Sequence, residues 1–326
     1  MQNTKNELSF SSRKGPVILS GILAVLMVFV SEFLHSSEIL FPEICAILCG
    51  AWIMPRQAWN VDRKRMFLLM STGAVFGVAI NLSLASWPLA ARAPLGFAFC
   101  AVMMMLTGAE MAPMFSAAVL PMLLSTDTPV YPIAVCTLIA LIMIGQILLE
   151  RHQIREPIHF RKNNLTKETA RSWLLRCAVL CAIACPLYAA GMSFMAVPPL
   201  LVAFVELTHT DSPLRTKPVR TWLCLTLASL TGAVARNAVE AGMISKTLAA
   251  AIGFVVLIAV WDRLHVWFPP AGAILFLALL APWQNAWVYP LETAVGAAIW
   301  IAAALLIFRN REEEPVLTGS ATGDIA

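Results

Sequence analysis

The sequence predicts an all-α polytopic membrane protein made of two parallel repeats of about six membrane segments each. Composition is the first observation behind this fold class. Of the 326 residues, 59% are hydrophobic and 13% are charged, and the mean hydropathy is +0.77. A chain with so few charges cannot cover a water-soluble globule of this length with polar surface. We therefore expect the lipid bilayer to be its solvent.

Internal similarity is the second observation. Residues 130–151 resemble residues 288–309 at a spacing of 158, and both stretches open with Val-Tyr-Pro. Two of the three tyrosines, Tyr131 and Tyr289, occupy the same place in these stretches. Pairs of glycines also recur at similar spacings: Gly77 with Gly232, and Gly96 with Gly253. Internal repeats of this length are typical of membrane transporters.

Twelve apolar segments follow one another along the chain, six in each predicted repeat. They lie at about 16–35, 39–54, 66–87, 93–110, 113–125 and 129–150, and then at about 172–191, 195–210, 220–241, 245–266, 269–281 and 287–308. Since a spanning helix needs about 20 apolar residues, the second and fifth segments of each repeat are short. Some of these short segments are broken by proline.

Basic residues predict the orientation. If all twelve segments cross and the N-terminus is cytosolic, 19 of the 23 basic residues face the cytosol, as the positive-inside rule requires. The basic loops 55–65 and 211–220 fall at the same place in each repeat, which predicts that the repeats run in parallel. An alternative has four crossings per repeat with re-entrant short segments, and it places loop 55–65 outside.

These features divide the chain into four parts. We predict a first membrane repeat at 1–150, a cytosolic linker at 151–171, a second membrane repeat at 172–310 and a disordered cytosolic tail at 311–326. The apolar run near the N-terminus is interpreted as the first helix, because no small-residue cleavage site follows it. We expect a multi-pass protein of a bacterial inner membrane with both termini in the cytoplasm.

The sequence predicts no enzyme, because it contains no HExxH, GxSxG or phosphate-binding glycine-rich motif. All eight cysteines fall in apolar segments and no CxxC pair occurs, so we interpret them as small packing residues. We expect neither a metal nor a cofactor, and no nucleic-acid partner. Glu43 and Glu206 lie in the short second segments, but they do not align with each other, which argues against a shared role in both repeats.

Prolines at the starts of short segments give the best indication of a binding site. Pro113 opens one such segment, and Pro269 and Pro270 open another. Proline suits the first turn of a helix, and the small Gly272 and Ala273 leave the backbone there uncovered. A helix N-terminus carries a partial positive charge that favours anions. These five residues are therefore the predicted substrate-binding residues, with an ordinary tight turn as the alternative.

Four further basic residues belong to the predicted site. Arg236 lies in an apolar segment with Glu240 one turn later, so it either faces a cavity or forms an i,i+4 pair at the outer interface. Arg215, Lys217 and Arg220 form a predicted basic mouth on the cytosolic side that would concentrate an anion. The same three residues equally serve as the positive charges that set the orientation of the chain in the membrane.

The second half resembles the HPP family of bacterial and plastid membrane proteins over residues 172–282. The matching residues are Asp211-Ser212-Pro213-Leu214, Lys217-Pro218-Val219-Arg220, Gly232 and Pro269-Pro270-Ala271-Gly272-Ala273, with Phe268 in place of the histidine that names the family. The resemblance implies transport of a small anion, since plant members are linked to nitrite movement. A weaker resemblance is to the fusaric acid resistance and aromatic acid exporter proteins.

Together these observations predict a secondary transporter of a small anion that binds near the midplane between the repeats. Two alternatives remain: an exporter of aromatic or organic compounds, and a non-transporting membrane scaffold subunit. The expected partners are a small-molecule substrate and the lipid bilayer, with a homo-oligomer as an alternative to a single chain.

Overall fold

The computed structural model describes residues 13–280 and 287–309, and the tail at 311–326 lies outside them. Within the described residues the chain forms twelve α-helices and no β-strand. Eight are long: α1 (Lys14–Phe33), α3 (Arg63–Ser83), α4 (Leu89–Thr107), α6 (Val130–Arg151), α7 (Lys167–Ala189), α9 (Pro218–Glu240), α10 (Lys246–Leu264) and α12 (Val288–Ile307). Four are short: α2 (Glu43–Leu48), α5 (Pro113–Leu124), α8 (Pro198–Leu207) and α11 (Pro269–Ala278). A π-helical turn, Cys49–Ile53, continues α2.

The eight long helices are each long and apolar enough to cross a membrane. Large apolar side chains cover their outer surface, among them Ile22, Leu106, Ile133, Val255 and Leu306, all more than 45% exposed. Water does not favour a surface of this kind, whereas lipid does. The chain is therefore an all-helical, multi-pass membrane protein.

The four short helices occupy the centre of the bundle. Every residue of α2 and α11 is buried, as are nine of the ten residues of α8. They form a closed ring in which α2 contacts α11, α11 contacts α8, α8 contacts α5, and α5 contacts α2. The long helices surround this ring, and their packing follows the same order in both halves. Helix α3 packs on α5 and α9 on α11, while α4 packs on α7 and α10 on α1.

The helices begin in two main ways. Among the long helices, three start at a polar cap: the side chains of Asp62, Thr166 and Ser245 accept from the backbone N–H three residues later. The short helices start at a proline or directly after one, and the long helix α9 also starts at a proline, Pro218. Pro113, Pro198 and Pro269 are first residues of their helices, and Pro42 precedes Glu43. Proline presets the helical φ and has no N–H to leave unpaired in an apolar interior.

The connections between helices gather at two ends of the bundle. At one end, which we call the basic end, hydrogen bonds or ion pairs join Arg13 to Ile154, Arg56 to Glu156, Asn60 to Arg161, Gly108 to Asn163, Glu110 to His209, and Lys217 to His265. At the other end, contacts join Glu32 to Thr247, Glu38 to Thr128, and Asn81 to Thr126. Loop 54–62 and linker 152–166 thus share one end.

Glycines allow the long helices to approach the short ones closely. A Cβ atom on Gly77 of α3 would overlap the backbone oxygen of Ala118 in α5. A Cβ atom on Gly232 of α9 would lie 2.7 Å from the backbone oxygen of Leu275 in α11. Small residues at such crossings are how helices pack tightly in lipid, where water supplies no force between helices.

Replacing Gly77 by Ala is expected to destabilise the protein by about 1–3 kcal/mol, because the new methyl group meets backbone that cannot rotate away. The measurement is thermal unfolding of the purified protein in detergent. Gly15→Ala is the matched control, since Gly15 lies in α1 with nothing within 4 Å of the added Cβ. Equal melting temperatures for the two variants would contradict the packing of α3 on α5.

Candidate substrate site

The first turns of three short helices meet at the centre of the ring. The hydroxyl of Ser116, in the first turn of α5, donates a hydrogen bond to Glu43 Oε1, at the start of α2. A Cβ atom on Gly272, in the first turn of α11, would lie 2.6 Å from the Sγ atom of Cys45 in α2. Three helix N-termini, each with a partial positive charge, therefore converge at one buried place.

Glu43 is the most unusual residue of this centre. It is 1% exposed, and its Oε2 atom has no hydrogen-bond partner among the described residues. Tyr131 and Tyr289 both interact electrostatically with it. Their hydroxyls donate to the middle of the short helices, Tyr131 to Ala117 O at 3.2 Å and Tyr289 to Ile274 O at 2.6 Å. The carboxyl group is held among polar groups that carry no positive charge.

The structure places the five predicted substrate-binding residues in the first turns of α5 and α11. Pro113, Pro269, Pro270, Gly272 and Ala273 are all buried. Helices α5 and α11 stand across the ring from each other, each in contact with both α2 and α8. The two predicted helix starts are therefore linked through α2, in which the sequence had indicated no site.

Arg236 lies apart from this centre. Its Nε atom is 2.6 Å from Glu240 Oε1, the i,i+4 pair that was one of the two expectations. Arg236 follows one turn after Gly232, which packs on Leu275 and Ala278 in the second half of α11. The structure does not bring this guanidinium to the first turn of α11.

The three residues of the predicted basic mouth have different surroundings. The guanidinium of Arg215 donates to Leu207 O, to Ala304 O at 3.3 Å and to Phe308 O at 3.2 Å. It therefore caps the C-terminal ends of α8 and α12, where carbonyl groups lack helical partners. Lys217 and Arg220 are exposed at the basic end, and Lys217 Nζ also donates to His265 O at 3.4 Å. These two side chains, unlike Arg215, present their charge to solutes.

A partly buried ion-pair network also lies at the basic end. Glu150 accepts from Arg63, and Arg155 Nη1 lies 3.5 Å from Glu150 Oε1. Burial lowers the pKa of Arg155 to about 10, while Glu150 acts in the opposite direction. Arg155 thus stays charged at neutral pH. Since the folded and the unfolded chain both bind this proton below about pH 10, the residue adds no pH dependence to stability between pH 5 and 8.

The other acidic residue of the short helices has a different place. Glu206 Oε1 accepts a hydrogen bond of 2.9 Å from Trp59 Nε1 of loop 54–62. Glu206 is the ninth residue of α8, whereas Glu43 is the first residue of α2. The two glutamates are therefore at opposite ends of their helices, which explains physically why they do not align.

An apolar groove between α1 and α10 is a second feature that could hold a molecule. It has a volume of about 830 Å³, and its lining includes Ile22, Phe29, Phe254 and Val255. The exposed side chains of α1 and α10 make it part of the lipid-facing surface. Its chemistry suits an apolar molecule and offers nothing to an inorganic anion.

Replacing Gly272 by Ala is expected to destabilise the protein by about 1–3 kcal/mol, because the added Cβ meets Cys45 at the ring centre. Cys45→Ala removes the sulfur, so the double variant should be more stable than the sum of the single effects predicts, by at least about 0.5 kcal/mol. Thermal unfolding of the four proteins in detergent measures this coupling. Strict additivity would mean that the first turns of α2 and α11 are not in contact.

We compared the chain with known protein families, curated proteins and solved structures. No protein-family model matches the chain, and no curated protein and no solved structure matches it.

Proposed function

We propose that this protein is a secondary transporter of a small anion in a bacterial inner membrane. The observation that carries the proposal is the convergence of the first turns of α2, α5 and α11 at a buried centre. A helix N-terminus is equivalent to about half a positive charge, and its effect is strongest where water is excluded. Several such termini at one point make a site for an anion without any buried arginine or lysine.

The arrangement of the two halves supports a site between parallel repeats. Tyr131 and Tyr289 make equivalent hydrogen bonds to α5 and α11. The fourth helix of each half packs on the first helix of the other half, as α4 does on α7 and α10 on α1. The gathering of loop 54–62, linker 152–166 and the segment before α9 at the basic end fits twelve crossings with cytosolic termini. It does not fit re-entrant short segments, which would separate loop 54–62 from the linker.

Nitrite is the first anion to test. It is the substrate that the likeness of residues 172–282 to the HPP family implies. Nitrite is also small and monovalent, which suits recognition by the backbone N–H groups of a helix N-terminus. Lys217 and Arg220 would raise the local anion concentration at the basic end.

The groove between α1 and α10 favours a second candidate, an exporter of aromatic or organic compounds. Such a compound could pass from the lipid into the groove, whose lining is apolar. A scaffold without transport, the third alternative, gives no reason for four short helices in the centre of the bundle, three of which begin at proline.

In proteoliposomes, nitrite exchange is expected to be protein-dependent and saturable. Lys217 and Arg220 should both be replaced by Gln, and Arg215 should be left intact because it caps two helices. The double variant should exchange nitrite more slowly at low salt, with a smaller loss at high salt, because exposed charges are screened over about 10 Å at 0.1 M. Replacing Lys167 and Arg171, which also lie on the predicted cytosolic side, is the control for general loss of charge.

The panel should also contain nitrate, sulfate, acetate and an aromatic acid. Flux of the aromatic acid without flux of any inorganic anion would favour the exporter. If no compound moves and none raises the melting temperature, the transporter proposal is wrong, because a ligand of the folded state stabilises it.

A further inference from the structure

We propose that Glu43 is the proton-binding group of this transporter, so that one proton moves with each monovalent anion. This inference rests on the proposed anion transport and names its coupling ion. It starts from the placement of a single carboxyl group at the point where the first turns of α2, α5 and α11 meet.

No lysine, arginine or histidine of the described residues is found beside Glu43, so the helix N-termini supply only partial positive charge there. The side chain is 1% exposed, and Ser116 of α5 is the described side chain that donates to it. Tyr131 of α6 and Tyr289 of α12 are the titratable groups that face it from neighbouring helices. The other nearby residues are also uncharged or thiols. Gly272 of α11 lies beside Cys45 of α2, and the sulfur of Met27 in α1 accepts a hydrogen bond from the N–H of Phe41, two residues before Glu43. A phenol, a thiol and a hydroxyl carry no positive charge in any protonation state.

No full positive charge among the described residues balances a carboxylate in this position. An isolated ion in an apolar interior is costly, and such groups are neutralised rather than left charged. The free Oε2 atom is the place where a proton can be added without breaking the bond from Ser116 to Oε1. The step is simple: the ionised carboxylate takes up one proton at Oε2 and becomes a neutral carboxylic acid.

Protonation of Glu43 also decides whether an anion can occupy the centre. The ionised carboxylate repels an anion and already satisfies the partial positive charge of the helix N-termini. When Glu43 is a neutral acid, the partial positive charge of the helix N-termini is available to bind the anion. Proton and anion therefore favour each other's binding, and by linkage the effect is reciprocal. When both leave on the other side, the carboxylate is restored and no net charge has crossed with a monovalent anion.

The test uses the full-length protein in proteoliposomes with nitrite as the probe, the membrane potential set to zero, and protein-free liposomes subtracted for passive leak. An external pH one unit below the internal pH should drive nitrite accumulation that approaches tenfold for one coupled proton. Glu43→Gln should abolish this accumulation, with equal concentrations inside and outside, while it still exchanges nitrite. Glu206→Gln is the matched control and should accumulate nitrite as the unmodified protein does.

The outcomes separate the two proposals. Tenfold accumulation by Glu43→Gln would overturn the role of Glu43 and leave anion transport standing. Accumulation driven by a sodium gradient but not by a pH gradient would overturn the role of the proton and would identify sodium as the coupling ion. Absence of protein-dependent nitrite exchange in the unmodified protein would overturn the proposed function and this coupling with it.

Infrared spectroscopy decides the matter if Glu43→Gln does not fold. The unmodified protein should show the carbonyl band of a protonated carboxylic acid that appears as the pH is lowered. In Ser116→Ala the band should shift in frequency, because the hydrogen bond to Oε1 is absent. The chain has 19 acidic residues, and the others give such a band as well, so the shift is the deciding observation. A band pattern in Ser116→Ala identical to that of the unmodified protein would overturn the proposal.

Discussion

The close approach of the short helices at the centre of the bundle is the constraint on which the rest of the structure depends. Helix α11 can contact α2 only because Gly272 has no side chain beside Cys45. Helix α5 is joined to α2 by the bond from Ser116 to Glu43. Around this ring, Gly77 and Gly232 let α3 and α9 lie against α5 and α11. The short helices and the long helices around them are therefore positioned by close approach of their backbones, which is how helices pack in lipid.

The same constraint creates the chemistry of the centre. A helix that starts inside the bundle has to begin without water for its first N–H groups, and proline at the first position reduces that cost. The resulting helix starts bring partial positive charge into an apolar interior, where charge interactions are strong. Glu43 is the negative counterpart at the same place. Structure and proposed mechanism therefore share one cause, which is the position at which the short helices begin.

Much of this fold could be predicted from local sequence patterns. Hydropathy predicted all twelve helices within a few residues, and the prolines correctly marked where α5 and α11 begin. The duplication of the chain stays a prediction. What sequence reasoning missed depends on contacts between distant residues. In the sequence Glu43 has no equivalent in the other half, which argues against a role, although a single acid at the centre of a ring needs no equivalent. The capping of two helices by Arg215 likewise depends on tertiary packing, which charge patterns do not reveal.

The most direct test of the account is a disulfide between Cys45 and a cysteine introduced by Gly272→Cys, with the other seven cysteines replaced by Ala. The account predicts that mild oxidation forms this bond within one chain in proteoliposomes. It also predicts that nitrite exchange stops on oxidation and returns on reduction, because the bond closes the place where the helix starts meet. A fully oxidised protein that exchanges nitrite at the rate of the reduced protein would contradict an anion site at this centre.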